Sequence, residues 1–374
     1  MKLFFPIDAF YPSQIGGPCN SVYWLTDELT SNGFEVQIFT NTIGIKDGLV
    51  KTNEYTKTYY GQVYYDNKKN YLKKIKLIYL GIKNSEILHL NGFFSKSSLL
   101  SFFISRLFFR HKKILISARG ELSDKALIYN NLLKKIVLVF YKLFSLGVFF
   151  HSTSEKESDE IKKKFNKSRV FELPNYFKPK KRILNKIKNK DLLYIGRIHH
   201  KKSIHKMIEG LYLSKTFKKS DYKFIIVGNH EMRHQNYFDF LKTKISEYDL
   251  VDKIEFKGFK EGDEKEIIYA SSYMTLMLSE NENFGNVVVE SLNQGTPVIA
   301  STGTPWSILE KNKCGYHIDN SPMIIAKIID EVLEISNEEY VEMCDRSIRL
   351  VEDNFMMKTK INNWIEVYNQ IYLS

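Results

Sequence analysis

The sequence predicts an α/β protein of two doubly wound parallel-sheet domains, on three observations. Its 374 residues suit two domains at about 150 residues each, and 43% hydrophobic residues supply a core to both. Short β-branched and aromatic runs alternate with helical patterns along the whole chain, the mark of βα units around parallel sheets. The third observation is a polar, basic stretch, Lys178 to Lys190 (KPKKRILNKIKNK), with no sustained apolar face. It separates two series of such units and reads as an interdomain connector.

The first series has strand candidates at Leu3–Ile7, Val36–Thr40, Ile87–Leu90, Ile114–Ser117 and Val148–Ser152. The second has them at Leu192–Gly196, Lys223–Val227, Ile254–Lys257, Tyr273–Leu278, Pro297–Ser301 and Gly315–Ile318. The expected domains are residues 1–175 and 176–354. Ile361, Trp364, Ile365, Tyr368 and Ile371 recur at helical spacing, so residues 355–374 read as a terminal amphipathic helix. Open α/β sheets collect ligands at the carboxyl ends of their strands, so a cleft between two such domains is the expected site.

Composition narrows the partners. Intrinsic disorder is excluded by the apolar content, and a disulfide framework by only 3 cysteines, which read as reduced thiols in a cytosol. The formal charge of +12 admits nucleic acid, an anionic membrane or a phosphorylated substrate. Residues 1–175 carry +11 of it and residues 176–374 only +1. Two segments of the first half, Phe93 to Lys113 and Asn131 to Phe150, mix Phe and Leu with Lys and Arg. They read either as helices lying in a membrane interface or as core helices with basic edges. The longest apolar run, Ile136 to Phe150, is 15 residues, short of the roughly 20 a bilayer span needs. Pro6 and Asp8 interrupt the N-terminal apolar run too early for a signal peptide.

Several common signatures are missing: no G-x-x-x-x-G-K-[ST], no G-x-G-x-x-G and no Asp-x-Asp pair for a divalent metal. His230-Glu231-Met232-Arg233-His234 fits H-E-x-x-H, but it follows a strand into a loop, where zinc-binding histidines would need a helix. These residues read as solvated loop, and no metal is expected. What remains clusters at strand ends. Gly16-Gly17 follow the first strand and precede a helix beginning near Ser21, where backbone approaches a ligand closely and a helix start favours an anion. Arg197 and Lys202 follow Leu192–Gly196 and suit a pyrophosphate, although a solvated basic loop explains them equally well alone. In SENENFGNVVVESLNQGTPVIAS a strand ends at Leu278, a loop presents Glu282 to Asn286, and a helix runs to about Asn293 with Glu290 in its second turn. Two carboxylates near the helix-start amides of Gly285 and Asn286 suit polyhydroxyl groups and an adjacent phosphate.

Glu282-x7-Glu290 in E-N-F-G-N-V-V-V-E, with Gly16-Gly17, YIGRIHHKKS, FIIVGN and FKGF, resembles the retaining glycosyl transferases group 1 (family 4) class across nearly the whole chain. The segments ILHLNGFFS, ISARGEL and STGTPW resemble members that build bacterial surface polysaccharide, lipopolysaccharide or capsule. The resemblance implies the GT-B architecture, two Rossmann-like domains facing a central cleft, with the terminal helix crossing back to the first domain. It implies a hexosyltransferase moving a hexose or N-acetylhexosamine from a nucleotide sugar, UDP favoured over GDP, to a lipid-linked or polysaccharide acceptor. No metal or other cofactor is implied, and the place of action would be the cytoplasmic face of an inner membrane, held peripherally by its anionic surface. Glu290 would grip ribose, and Glu282 would hold hydroxyls of the transferred sugar with Phe284, Gly285 and Asn286 lining that pocket. Arg197 and Lys202 would neutralise the diphosphate with help from Gly16 and Gly17, and Gly228 and Phe259 would lie beside the base. His89, Asn91, Arg119 and Glu121 would border the acceptor. Two departures stand out: Ala118-Arg119-Gly120 where many members carry a histidine, and Ser203 where a glycine often follows the lysine. The second is expected to change loop shape. The rival readings are a sugar-nucleotide epimerase or phosphorylase on the same architecture, a zinc hydrolase and, last, a nucleic-acid-binding protein.

Overall fold

The computed structural model describes residues 1–13, 15–68, 70–128, 131–183 and 188–374. Residues 184–187 of the expected connector lie outside the described residues. The chain divides into two compact units, Met1–Lys178 with Met357–Ser374, and Pro179–Met356.

Unit 1 runs β1 (Lys2–Ala9), α1 (Gly17–Ser31), β2 (Glu35–Asn41), β3 (Tyr55–Thr58), β4 (Gly61–Asp66), α2 (Tyr71–Asn84), β5 (Ile87–Asn91), α3 (Lys96–Phe108), β6 (Lys113–Ser117), α4 (Asp124–Ile128), α5 (Asn131–Leu143), β7 (Val148–Ser152), α6 (Glu155–Lys164) and β8 (Val170–Glu172). Its eight strands lie in the order β3-β4-β2-β1-β5-β6-β7-β8. All neighbours are parallel except the β3–β4 hairpin. The five expected strands are present. Three more, β3, β4 and β8, were not expected. The hairpin is a polar, tyrosine-rich edge (YTKTYYGQVYYD) without an aliphatic run, and β8 is only three residues long. The core is aromatic: Phe4, Phe39, Phe93, Phe102, Tyr141 and Phe150 are all buried between the sheet and its helices.

Unit 2 runs β9 (Asp191–Ile195), α7 (Ile204–Leu213), α8 (Lys215–Lys219), β10 (Lys223–Val227), α9 (Gln235–Glu247), β11 (Ile254–Gly258), α10 (Gly262–Ser271), β12 (Met274–Met277), α11 (Asn286–Asn293), β13 (Val298–Ser301), α12 (Ile308–Lys311), β14 (Gly315–Ile318), α13 (Pro322–Val332) and α14 (Asn337–Asn354). All six expected strands form one parallel sheet, ordered β11-β10-β9-β12-β13-β14. Its core is aliphatic, with Leu192, Ile208, Ile226, Leu276 and Ile329 fully buried. The last helix, α15 (Met357–Leu373), returns to unit 1, where it packs against α1 and β5.

Both sheets reverse direction once. The chain leaves β1 toward β2 on one side and later builds β5 on the other; it leaves β9 toward β10 and later builds β12 opposite. Loops on either side of such a reversal diverge and open a crevice at the carboxyl ends of the strands. Each unit therefore has one switch point, at β1/β5 and at β9/β12.

Candidate functional site

The unit 2 switch point gathers most of the residues singled out in the sequence. The β9 loop carries Arg197, passes through one 3₁₀ turn at His200–Lys202, and enters α7. The β12 loop carries Glu282 to Gly285 and enters α11. The backbone joins the two loops, Glu280 N donating to Lys201 O at 2.9 Å. A side-chain pair crosses the same gap: Lys202 Nζ donates to both oxygens of Glu282, at 3.2 Å to Oε2 and closer to Oε1. Each side chain is about one fifth exposed. At this burial opposite charges in contact attract by about 4 kcal/mol before desolvation is counted. The two charges therefore neutralise each other.

Ser203 sits at φ 55°, the left-handed region. Ser203 thus holds a backbone conformation that glycine adopts freely. Arg197 points away from the pair toward the β10–α9 loop, where Nη1 lies 3.7 Å from Glu231. Its carbonyl is held by the buried Tyr194 hydroxyl at 2.7 Å.

Gly228 ends β10 against Gly196, so closely that a Cβ on Gly228 would overlap the Gly196 carbonyl. Only paired glycines allow this crossing of strand ends. Gly228 N also donates to Gly258 O at 2.8 Å, which sets Phe259, half exposed, at the neighbouring end of β11.

Gly285 opens α11 at φ 83°, with no side-chain cap and no acidic residue in the first turn. A Cβ there would meet Met277 Cε at 2.7 Å. Phe284 is buried against Trp306, with ring centres 5.0 Å apart, and Trp306 Nε1 donates to the Phe284 carbonyl. Trp306 and Gly303, both from STGTPW, brace this loop; Gly303 O accepts from Glu282 N at 3.1 Å. Their structural part was not read from the sequence, where the segment served only as a likeness. Glu290 is buried on α11, and its Oε2 accepts from Lys265 Nζ at 2.6 Å and from the Tyr269 hydroxyl at 3.0 Å. These α10 partners were also missed, because Lys265 and Tyr269 read as ordinary helix residues. Burial and the adjacent Glu290 raise the Tyr269 phenol well above its usual pKa, which keeps it a donor.

Unit 1 places the remaining residues at its own strand ends. Gly16 starts α1 at φ 82° without a side-chain cap, and α1 begins at Gly17 rather than near Ser21. Arg119, at φ 58°, donates to Asn175 Oδ1 at 2.8 Å and to Asn91 Oδ1 at 2.7 Å. Arg119 Nε and Asn91 Nδ2 are buried with no partner among the described residues. Burial pulls the Arg119 pKa to about 10, which leaves it charged at neutral pH. Glu121 accepts from Phe94 N at 2.7 Å and closes the β5–α3 loop.

His89 is fully buried in a directional chain. The Tyr368 hydroxyl donates to His89 Nδ1, His89 Nε2 to Ser117 Oγ, the Ser117 hydroxyl to His151 Nδ1, and His151 Nε2 to Leu173 O, at 2.8, 2.8, 2.8 and 2.9 Å. Only this polarity satisfies every member with both rings neutral. Burial lowers both imidazoles, His151 to about 3 and His89 well below the usual value. The chain ties α15 to β5, β6 and β7, and His89 itself points into this layer.

The H-E-x-x-H motif does not form a site of its own. His230 Nε2 is 2.7 Å from Gln235 Oε1 and its ring stacks on Phe238, whereas His234 packs instead against His199 and His200.

Residues 177–349 match the family model described as Glycosyl transferases group 1. An uncharacterized glycosyltransferase of Methanocaldococcus jannaschii, MJ1607, is 30% identical over 146 residues, 38% of this chain and 36% of the relative. An uncharacterized glycosyltransferase of Haemophilus influenzae is 25% identical over 56% of this chain and 58% of its own length. The chain thus spans about a third to three fifths of these curated relatives. Among solved structures, Anabaena Alr3699/HepE in complex with UDP and glucose superposes with a TM-score of 0.73 at 14% identity, covering 99% of this chain and 100% of that one. WaaG, a glycosyltransferase involved in lipopolysaccharide biosynthesis, gives 0.69 at 13% identity over 97% and 99%. The fold is therefore the two-sheet Rossmann-like fold of GT-B glycosyltransferases.

Proposed function

We propose that the chain is a retaining glycosyltransferase that moves a hexose or N-acetylhexosamine from a nucleotide sugar, UDP-linked in preference to GDP-linked, to a lipid-linked or surface-polysaccharide acceptor. One observation carries the reading: at the β9/β12 switch point, inside the family-matched residues, Lys202 meets Glu282 beside the uncapped start of α11.

Cleaving the anomeric C–O bond sends negative charge onto the diphosphate while the sugar becomes oxocarbenium-like. Lys202, Arg197 and the α11 amides supply fixed positive potential where that charge develops, which stabilises the leaving group more than the ground state. A diphosphate carries more charge than Glu282, so Lys202 turns to it on binding and frees Glu282 for sugar hydroxyls. Glu290 presents its second oxygen to ribose, its first being held by Lys265 and Tyr269. Attack from the leaving-group face, with the departing phosphate taking the acceptor proton, gives retention without a protein nucleophile. The unpartnered Asn91 Nδ2 and Arg119 Nε give unit 1 two donors for acceptor oxygens.

A membrane-held acceptor fits α5. Leu132, Leu133, Ile136, Val139 and Leu143 are all more than half exposed on it, interleaved with exposed Lys135 and Lys142. No helix among the described residues is long and apolar enough to cross a membrane. An apolar ridge flanked by lysines suits lying on an anionic surface at the cytoplasmic face. The test of the activity is transfer and hydrolysis of labelled UDP- and GDP-sugars by wild type and Glu282→Ala. Loss of at least tenfold in turnover efficiency is expected, and equal activity removes the role of Glu282. Turnover that needs inorganic phosphate and no acceptor would point to a phosphorylase.

A further inference from the structure

We propose that His199, His200 and His234 form a binding site for one borderline divalent transition-metal ion, of which zinc is the type. One ring nitrogen of each lies within 4.8 Å of the others. His199 stacks on His200 with ring centres 4.2 Å apart and meets His234 edge-on at 4.3 Å. Three nitrogens around zinc stand about 3.3 Å apart when each bond is about 2.0 Å, so ring rotations of roughly 1 Å close the set. Imidazole nitrogens select zinc, copper and nickel over magnesium and calcium.

A second observation points to a ligand. His234 Nε2 is buried and has no hydrogen-bond partner among the described residues, which is costly for a polar atom unless something takes its lone pair or proton. Two of the neighbouring cations are offset by a carboxylate. The nearby Arg197 and Arg233 are both paired with Glu231, at 3.7 and 2.7 Å. His199 Nδ1 accepts only a 3.1 Å bond from Lys201 N, which a metal would displace. The ion would clip the β9 loop, two residues before Lys202, to the β10–α9 loop.

The site uses one histidine of the H-E-x-x-H motif and not the other, and it stands independently of the glycosyltransferase reading. The experiment titrates zinc chloride into the full, untagged chain in a non-coordinating buffer, followed by calorimetry and by the unfolding midpoint. Cobalt substitution adds the visible absorption of nitrogen-ligated metal. One equivalent should bind, and His200→Asn and His234→Asn should each weaken it at least tenfold, with His230→Asn and magnesium serving as silent controls. Because His200 is exposed, its variant reports on binding even if His234→Asn perturbs the loop. No saturable binding, unchanged affinity in His200→Asn, or equal loss in His230→Asn overturns the proposal.

Discussion

At the β1/β5 switch point the Asp8 carboxylate occupies the start of α3, taking Lys96 N and Ser97 N at 3.0 Å each and the Ser97 hydroxyl at 2.6 Å. Ser95 caps the same helix at 3.2 Å. At the β9/β12 switch point α11 begins with no side-chain cap, and the carboxylate nearest its start, Glu282, is held by Lys202 instead. Two sheets with the same reversal thus use one helix terminus differently. In unit 1 a carboxylate of the protein itself fills the positive end of α3 and closes that side of the crevice. In unit 2 the corresponding helix, α11, starts with no side-chain cap, and Lys202 lies on Glu282 beside it. The contrast is between α3 and α11 alone, since α1 at the β1/β5 switch point also starts without a side-chain cap.

A backbone clash in unit 2 gives a large expected effect. Gly228→Ala puts a methyl into the Gly196 carbonyl, a backbone clash no rotamer relieves, and should cost about 3 kcal/mol or more. Thermal unfolding should show it, and an unchanged midpoint would mean that the crossing of β9 and β10 ends is looser than described. Next comes acid. The unfolded chain protonates His89 and His151 near pH 6.5, while the folded chain holds both neutral far below that. The His151 contribution is therefore complete above pH 6.5 and is lost as pH falls toward about 3, by about 1.4 kcal/mol per pH unit, and that of His89 runs in the same direction. Denaturant titrations from pH 7 to about 4 should show this slope, and His151→Asn should flatten it. A smaller effect is expected from Asp8→Asn, about 1–3 kcal/mol in stability from weakened charge-assisted bonds, with nucleotide affinity unchanged. If that variant instead weakened nucleotide binding, the contrast between α3 and α11 would fail.

Much of unit 2 was legible because its strands are short apolar runs buried on both faces, such as VIAS and FIIV, the latter closed by Gly228. Unit 1 was less so. Its hairpin edge is built from tyrosines and threonines, whose stabilisation comes from neighbours rather than periodicity, Tyr55 packing on Tyr64 and Phe39 on Tyr64. The chemistry-bearing residue types at strand ends were visible, but their pairings were not. Lys202 finds Glu282 across 80 residues of sequence, and Glu290 finds Lys265 and Tyr269. Such partners are set by which strands become neighbours, a property of topology that local spacing does not encode. His89 shows the converse: a histidine at a strand end is consistent with a site, but here a tyrosine 279 positions away takes its Nδ1.

In the proposed reaction the β9/β12 switch point holds the diphosphate through Lys202. Calorimetric binding of UDP to wild type, Lys202→Ala and Asp8→Asn tests it directly. Lys202→Ala is expected to raise Kd about tenfold or more, consistent with about 1.5–3 kcal/mol for a charged hydrogen bond, while Asp8→Asn binds as wild type. UDP binding undiminished in Lys202→Ala would contradict it.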